Sequence, residues 1–410
     1  MVSTIIRDAS TLDGDRVDVA LDGELVADEQ PTDVSADDVI DARGGLLLPA
    51  FIDTHVHLDK VLTRDRLAEH DGTLRGAIDS IHAAKRLYTV DEVRERAVEV
   101  IRSSVLTGTT RLRSHVDVDT IGGLTPLHGV RAAAQACSSI ADVRTIAFPQ
   151  EGIVRDPGTE QLLVEAMQQG ADVVGGMPHW ERGEDEQREH VRICFDIAQR
   201  FDADVDMHVD ETDDGTVRTL GMVAEETIRR GWHGRVTVGH VCALAAADHD
   251  YADRVIAQCA AAEITVVANP VTNLVLQGRG DRGLIRRGTT RIRELMAAGV
   301  NVAFGQDCVS DGFYPFGRGD MLEVALISAH TAHLTTAHEL SAALDAVTNA
   351  PATAWRLGGT YGLRPGARAD LQLYAAPTWP EVLRRQDAPT HVWHRGRLVA
   401  TTRISRNLQP

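Results

Sequence analysis

Ala50-Phe51-Ile52-Asp53-Thr54-His55-Val56-His57-Leu58 is a short apolar run that ends on two histidines, and seven more runs of similar texture follow it. They are Thr110 to Val118, Val143 to Pro149, Asp172 to Met177, Val205 to Asp210, Arg235 to Cys242, Ile264 to Pro270 and Val302 to Asp307. Longer segments with apolar residues at helical spacing lie between them: Val93 to Leu106, Leu127 to Cys137, Glu160 to Gln169, Arg188 to Arg200, Val217 to Arg230 and Thr290 to Ala298. Eight strand–helix units predict an α/β fold of the (β/α)8 TIM-barrel type, whose catalytic groups come from the C-terminal ends of several strands.

Outside this region the texture changes. Thr4-Ile5-Ile6, Val17 to Leu21 and Val39 to Ala42 near the start, and Ala369 to Tyr374 and His391 to Val399 near the end, read as short strands between turns. The expected organisation is a barrel over 50–360, with 1–49 and 361–410 pairing into one small β-sandwich.

Composition narrows the function. Of the 410 residues 43% are hydrophobic and 25% charged, as in soluble globular proteins, which excludes disordered, collagen-like and coiled-coil chains. A formal net charge of −18 repels a phosphate backbone, so nucleic acid is not an expected partner. No apolar run is long enough to span a bilayer and no signal-peptide pattern opens the chain; the expected location is the cytoplasm, without membrane contact. Lysine occurs only at Lys60 and Lys85, neither in a phosphate-binding loop pattern. Acid excess with so little lysine suits either a high-salt cytoplasm or a GC-rich genome. The five cysteines, none in a C-x-x-C, argue against a disulfide framework. Gly278, Gly280 and Gly283 form a G-x-G-x-x-G that lacks a following helix and acidic partner, and it reads as a loop.

The strand ends carry the chemistry. In order they bear His55 and His57, His115 and Asp117, Gln150 and Glu151, His179, then His208, Asp210 and Glu211, then His240, Asn269 and Asp307. Polar groups beside apolar strands are costly to bury without a ligand or metal. One such histidine would be an ordinary hydrogen-bonded core residue; the recurrence at one end of successive strands is not ordinary. His55 and His57 lie two apart, so both imidazoles point to one face and can share an ion. His208 and Asp307 can complete a mixed nitrogen and oxygen set with a position left for water, the layout of a catalytic metal. Glu211 differs in pleat parity from His208, so its inward aim requires a turn at the strand end.

With these residues in view, the chain resembles the amidohydrolase superfamily, and within it the bacterial cytosine deaminase group. The resemblance rests on Phe51 to Asp59, Arg113 to Val118, Phe148-Pro149-Gln150-Glu151-Gly152-Ile153, His208-Val209-Asp210-Glu211, Ala268-Asn269-Pro270, Leu276 to Arg279, Phe304 to Asp307 and Tyr314-Pro315, and it covers nearly the whole chain. It implies one divalent metal, iron(II) or zinc, on His55, His57, His208 and Asp307. Related binuclear enzymes carry a carboxylated lysine where this chain has Met177-Pro178-His179, so a mononuclear site is expected. It further implies that Gln150 holds the amide edge of a pyrimidine-like ring, Glu211 shuttles protons at a ring nitrogen, and His240 orients the attacking hydroxide. A metal lowers the pKa of its water toward about 7, Asp307 takes the proton released, and the tetrahedral adduct expels ammonia. A homo-oligomer and a small nucleobase-like substrate are implied as well.

Three residues depart from the cytosine deaminase pattern beside the substrate: Gln306 replaces a histidine, Cys308 an aspartate and Phe313 a tryptophan. The reaction expected is hydrolytic deamination of cytosine or a close analogue, including 5-substituted cytosine or isocytosine. The thiol of Cys308, smaller than a carboxylate and neutral, favours a ring with an added apolar substituent. The alternative is removal of an amine from a hydroxylated s-triazine of the isopropylammelide type, whose branch shares Pro315-Phe316-Gly317-Arg318-Gly319-Asp320-Met321. A non-catalytic barrel scaffold would show decayed ligands, and all four are intact.

Overall fold

Five short strands lead into the barrel in this computed structural model, which describes residues 2–28, 36–67 and 74–409. They are β1 (Val2–Ser10), β2 (Arg16–Asp22), β3 (Leu25–Val26), β4 (Asp38–Asp41) and β5 (Leu47–Pro49). The barrel strands follow: β6 (Phe51–Val56), β7 (Thr109–Asp117), β8 (Asp142–Phe148), β9 (Val173–Gly176), β10 (Asp204–Val209), β11 (Val236–His240), β12 (Thr265–Ala268) and β13 (Asn301–Phe304). Each pairs in parallel with its neighbour in chain order. Every expected strand run therefore contains a barrel strand, and helices on the outside cover them. Burial on both faces is why β6, β7, β9, β11 and β12 are buried from end to end.

The barrel closes at the strand ends that matter for chemistry. Beyond β13 the chain bonds back to β6 through Asp307 N to the His55 carbonyl, 2.6 Å, and His57 N to the Asp307 carbonyl, 3.0 Å. Two of the expected ligand segments are thus stitched together by backbone before any side chain is considered. The helix Val90–Leu106 illustrates the outer layer. Thr89 caps it by accepting from Glu92 N, and Val93, Ala97, Val100, Ile101 and Val105 form its buried stripe.

The terminal segments build two sheets, ordered β3-β2-β1-β4 and β16-β15-β14-β5, with β14 (Leu371–Leu373), β15 (His391–His394) and β16 (Arg397–Thr401). Ile6, Leu21, Leu47, Leu371 and Trp393 share one core between them. β5 crosses from the N-terminal segment to pair with β14, and β3 bridges to the C-terminal segment through Leu25 and Arg368, so the two ends are joined around one core. The run His391 to Val399, expected as one strand, is a hairpin. Arg395 and Gly396 take φ of 50° and 71°, the left-handed pair a tight two-residue turn needs. The seventh expected run also ends early, at Ala268, because Asn269-Pro270 opens the helix Pro270–Leu276. The glycine-rich segment 278–289 lies outside helix and strand, as expected. No helix among the described residues is long and apolar enough to cross a membrane.

Candidate active site

His55 and His57, at the end of β6, face the same carboxylate: Asp307 Oδ1 is 3.6 Å from His55 Nε2 and 3.4 Å from His57 Nε2. His208, on β10, brings its Nε2 within 3.1 Å of His57 Nε2. One atom from each of the four residues lies within 4.8 Å of all the others, and all four side chains are buried. Asp307 reaches this point from a left-handed residue, φ 65°, fixed by the closing backbone bonds to β6.

Burial drives the imidazoles of His55 and His208 well below the usual histidine range, with neighbouring rings pushing the same way; it takes His57 to about 3, helped by Lys60. Burial thus favours neutral rings, which can offer lone pairs. Both ring nitrogens of His55 and the Nδ1 atoms of His57 and His208 lack a hydrogen-bond partner in the protein. Buried polar groups are normally satisfied. Three imidazoles and a carboxylate within 4.8 Å of one another, with three of the pairs at 3.1–3.6 Å, are close enough for donors that share one ion at about 2.0–2.2 Å. The donor set fits a divalent metal.

A cavity of about 210 Å³ opens onto this cluster. His57, His208 and Asp307 form one part of its lining, and Gln150, Glu211, His179, Cys308 and Phe313 form others. Ile78, Met177, Trp180, Val217 and Leu276 supply apolar surface. All the expected metal and substrate residues except His55, which sits directly beneath, reach this space. Asp210, left-handed at φ 52°, makes the turn that carries Glu211 inward. The Asp210 carboxylate fixes that turn by accepting from Thr219 N at 2.8 Å, Thr219 Oγ1 at 2.5 Å and Leu220 N at 3.1 Å. Burial lifts the Glu211 carboxyl to about 7, the nearby His240 opposing and Asp307 adding to the shift. His240 Nδ1 lies 3.3 Å from Glu211 Oε1.

Other strand-end residues do different work. His115 packs its ring 4.2 Å from that of His55 and lies 3.5 Å from Asp206, below the cavity. Gln306 directs its Nε2 to the Cys308 carbonyl at 3.1 Å rather than into the cavity. Asp117 does not line the cavity, although its carboxylate lies within 4.8 Å of ligand atoms of His57 and Asp59. It receives Lys60 at 2.5 Å and Lys85 at 2.7 Å, and Lys60 also donates to Gln150 Oε1 at 3.2 Å. Burial alone would raise the Asp117 carboxyl, but the two ammonium groups hold it well below the carboxylate range. Sequence reasoning gave neither lysine a role. Their being the chain's only two, one of them three residues beyond His57, was the available signal. Asn273, which contacts both His240 and Glu211, was also missed; its signal is the helical spacing from Asn269.

A parallel barrel with a buried cluster of three histidines and one aspartate at its C-terminal rim defines a metal-dependent hydrolase. The chain belongs to the amidohydrolase family, whose model matches residues 79–400, and it acts on C–N bonds. It is similar to 5-methylcytosine deaminase from Klebsiella pneumoniae, in a crystal structure liganded with 5-fluorocytosine, at 34% identity and a TM-score of 0.93 over 99% of each chain. Pterin deaminase of Rhizobium rhizogenes is 31% identical over 396 residues, covering 94% of this chain and 88% of that protein. N-isopropylammelide isopropylaminohydrolase from Burkholderia multivorans has 28% identity and a TM-score of 0.86, covering 98% of this chain and 99% of that one.

Proposed function

We propose that the protein is a mononuclear metal-dependent deaminase of cytosine or a 5-substituted cytosine, taking up water and releasing ammonia. The observation that carries this reading is one small cavity lined by His57, His208 and Asp307 of the cluster together with Gln150, Glu211 and Cys308. The similarity to 5-methylcytosine deaminase supports it. His55, His57, His208 and Asp307 would hold iron(II) or zinc, which would supply Lewis acidity and activate water at neutral pH.

The chain's own groups do the rest. Gln150 binds the amide edge of the ring, its Oε1 held by Lys60. Glu211, its carboxyl raised by burial, donates its proton to the ring nitrogen next to the carbon bearing the amine, so that charge does not build up there. His240 orients the attacking water and Asp307 accepts the proton that water gives up. Phe313 packs on the ring, while Ile78, Val217 and Leu276 exclude bulk water. Cys308 lies where a carboxylate would crowd the ring, and its buried thiol, pushed far up by burial and by Asp307, stays neutral. That neutral wall accommodates a methyl group.

Removal of an amine from a hydroxylated s-triazine is the second reading, favoured by the Pro315 to Met321 segment and the similarity to the isopropylammelide enzyme. Ammonia and alkylamine release from cytosine, 5-methylcytosine, isocytosine, N-isopropylammelide and pterin tests both. Ammonia from a cytosine supports the first; isopropylamine release with inert cytosines replaces it.

A further inference from the structure

Two asparagines one helical turn apart touch opposite ring nitrogens of His240. Asn269 immediately precedes the helix Pro270–Leu276 and Asn273 lies within it, so the spacing of four puts both on one face. Both are buried. Asn269 Nδ2 is 3.3 Å from His240 Nε2, and Asn273 Oδ1 is 3.3 Å from His240 Nδ1. Asn273 Nδ2 in turn donates to Glu211 Oε1 at 3.3 Å.

These contacts have a direction. An amide NH2 only donates and a carboxyl oxygen that carries no proton only accepts, so Asn273 gives its Nδ2 to Glu211 Oε1 and keeps its Oδ1 for His240, with any Glu211 proton on the other oxygen. Both neighbours of His240 Nδ1, the Asn273 amide oxygen and the Glu211 carboxylate, are then acceptors. The neighbour of Nε2 is a donor. The N–H groups run one way, from Asn269 to His240 to Asn273 to Glu211. We propose that Asn273, backed by Asn269, is a positioning residue that locks His240 as the Nδ1–H tautomer and aims the Glu211 carboxyl into the cavity.

The backbone is built to match. His240 and Val241 are both left-handed, at φ 70° and 53°, a conformation that a β-branched valine rarely adopts and that only tight surroundings hold. Gly305 leaves the space Asn269 needs, since a Cβ there would come within 2.5 Å of Asn269 Oδ1. In this tautomer Nε2 keeps its one lone pair as an acceptor, for the Asn269 amide or, in its place, a water proton. The inference rests on the roles given above to His240 and Glu211.

The test reads the tautomer without substrate. Zinc-loaded protein carrying 15N-histidine is examined by two-bond 1H–15N correlation spectra, with the His240 signals assigned by their loss in His240→Gln. Wild type should show Nδ1 protonated and Nε2 bare. Asn273→Leu should lose that single tautomer and lower kcat on the order of 10- to 100-fold, with KM within about threefold and zinc content unchanged. Asn273→Asp keeps an acceptor for His240 but sets a second carboxylate against Glu211, so it should retain the tautomer and still lose kcat. A wild-type His240 protonated at Nε2 would overturn the proposal, as would an Asn273→Leu variant with wild-type tautomer and kcat. Failure of the deaminase reading appears separately, as no ammonia from any compound in the substrate panel.

Discussion

Glu211 is held at a cost to stability, and replacing it should make the protein sturdier and nearly inactive. Its carboxyl is raised from 4.5 to about 7, chiefly by burial. A group whose folded pKa exceeds its unfolded value lends full stability only below the unfolded pKa and loses it as pH rises through the folded one. The carboxyl therefore costs nothing below about pH 4.5 and its full penalty above about pH 7, a difference of about 3 kcal/mol for a shift of this size. Because the side chain keeps 12% of its surface exposed, solvent trims this to about 1–3 kcal/mol. Glu211→Gln preserves shape and removes the charge, so the variant should match wild type near pH 4.5 and exceed it by that amount at pH 8. Urea unfolding of EDTA-treated proteins at the two pH values measures the difference, free of the metal's own charge. The same substitution should lower kcat of the metal-loaded enzyme by at least about a hundredfold, the lower end of what general acid–base groups contribute. A variant no more stable than wild type at pH 8 would refute the desolvation argument. Turnover near the wild-type rate would move the proton-transfer role to another group.

Elemental analysis of purified protein should find about one equivalent of iron or zinc per chain, and His208→Ala should lose it because three donors remain where four converge. Cys308→Asp should shift the kcat/KM ratio of 5-methylcytosine to cytosine toward cytosine by about 10–200-fold, the worth of one methyl in an apolar pocket, as read by ammonia release from both substrates. An unchanged ratio would make Cys308 mere packing. Melting temperature should climb as KCl rises to molar levels, since a net charge of −18 repels itself at low salt; a flat or falling curve would favour genome composition as the reason for the missing lysines.

What could be read from the sequence was what repeats. Eight apolar runs and the polar residues at their ends recur with one rhythm, and the candidate ligands His55, His57, His208 and Asp307 each belong to that rhythm. Local chemistry that breaks a rhythm was harder to weigh. Arg395-Gly396 turns one expected strand into a hairpin, and the left-handed Asp210 decides where Glu211 points. Least legible were pairings across the barrel. Lys85 meets Asp117 and Asp119 from the helix Leu74–Lys85, and Asn273 meets Glu211 across 62 positions of chain. No periodicity encodes such a meeting, because it depends on how strands and loops are placed relative to each other.

Those pairings give the cavity two electrically different ends. On the side of the histidine cluster, burial raises Asp53 and Glu211 to about 7 and Asp311 to about 6, and among the described residues no lysine or arginine pairs with any of them. Asp307 alone is pulled below the ordinary carboxylate range, burial being outweighed by His240 and His57. On the side of Gln150 the arrangement is reversed, for Lys60 and Lys85 close on Asp117 and leave it no need of an outside cation. Lys60 acts on His57 and Glu211 only at a distance, its ion pair being with Asp117. The buried donor set at the histidine end, His55, His57, His208 and Asp307, has room for a divalent ion as its countercharge. A neutral, planar heterocycle spanning the two ends meets fixed N–H donors at one and an electrophilic centre with a titrating carboxyl at the other, the polarity that addition of water to a C–N carbon requires.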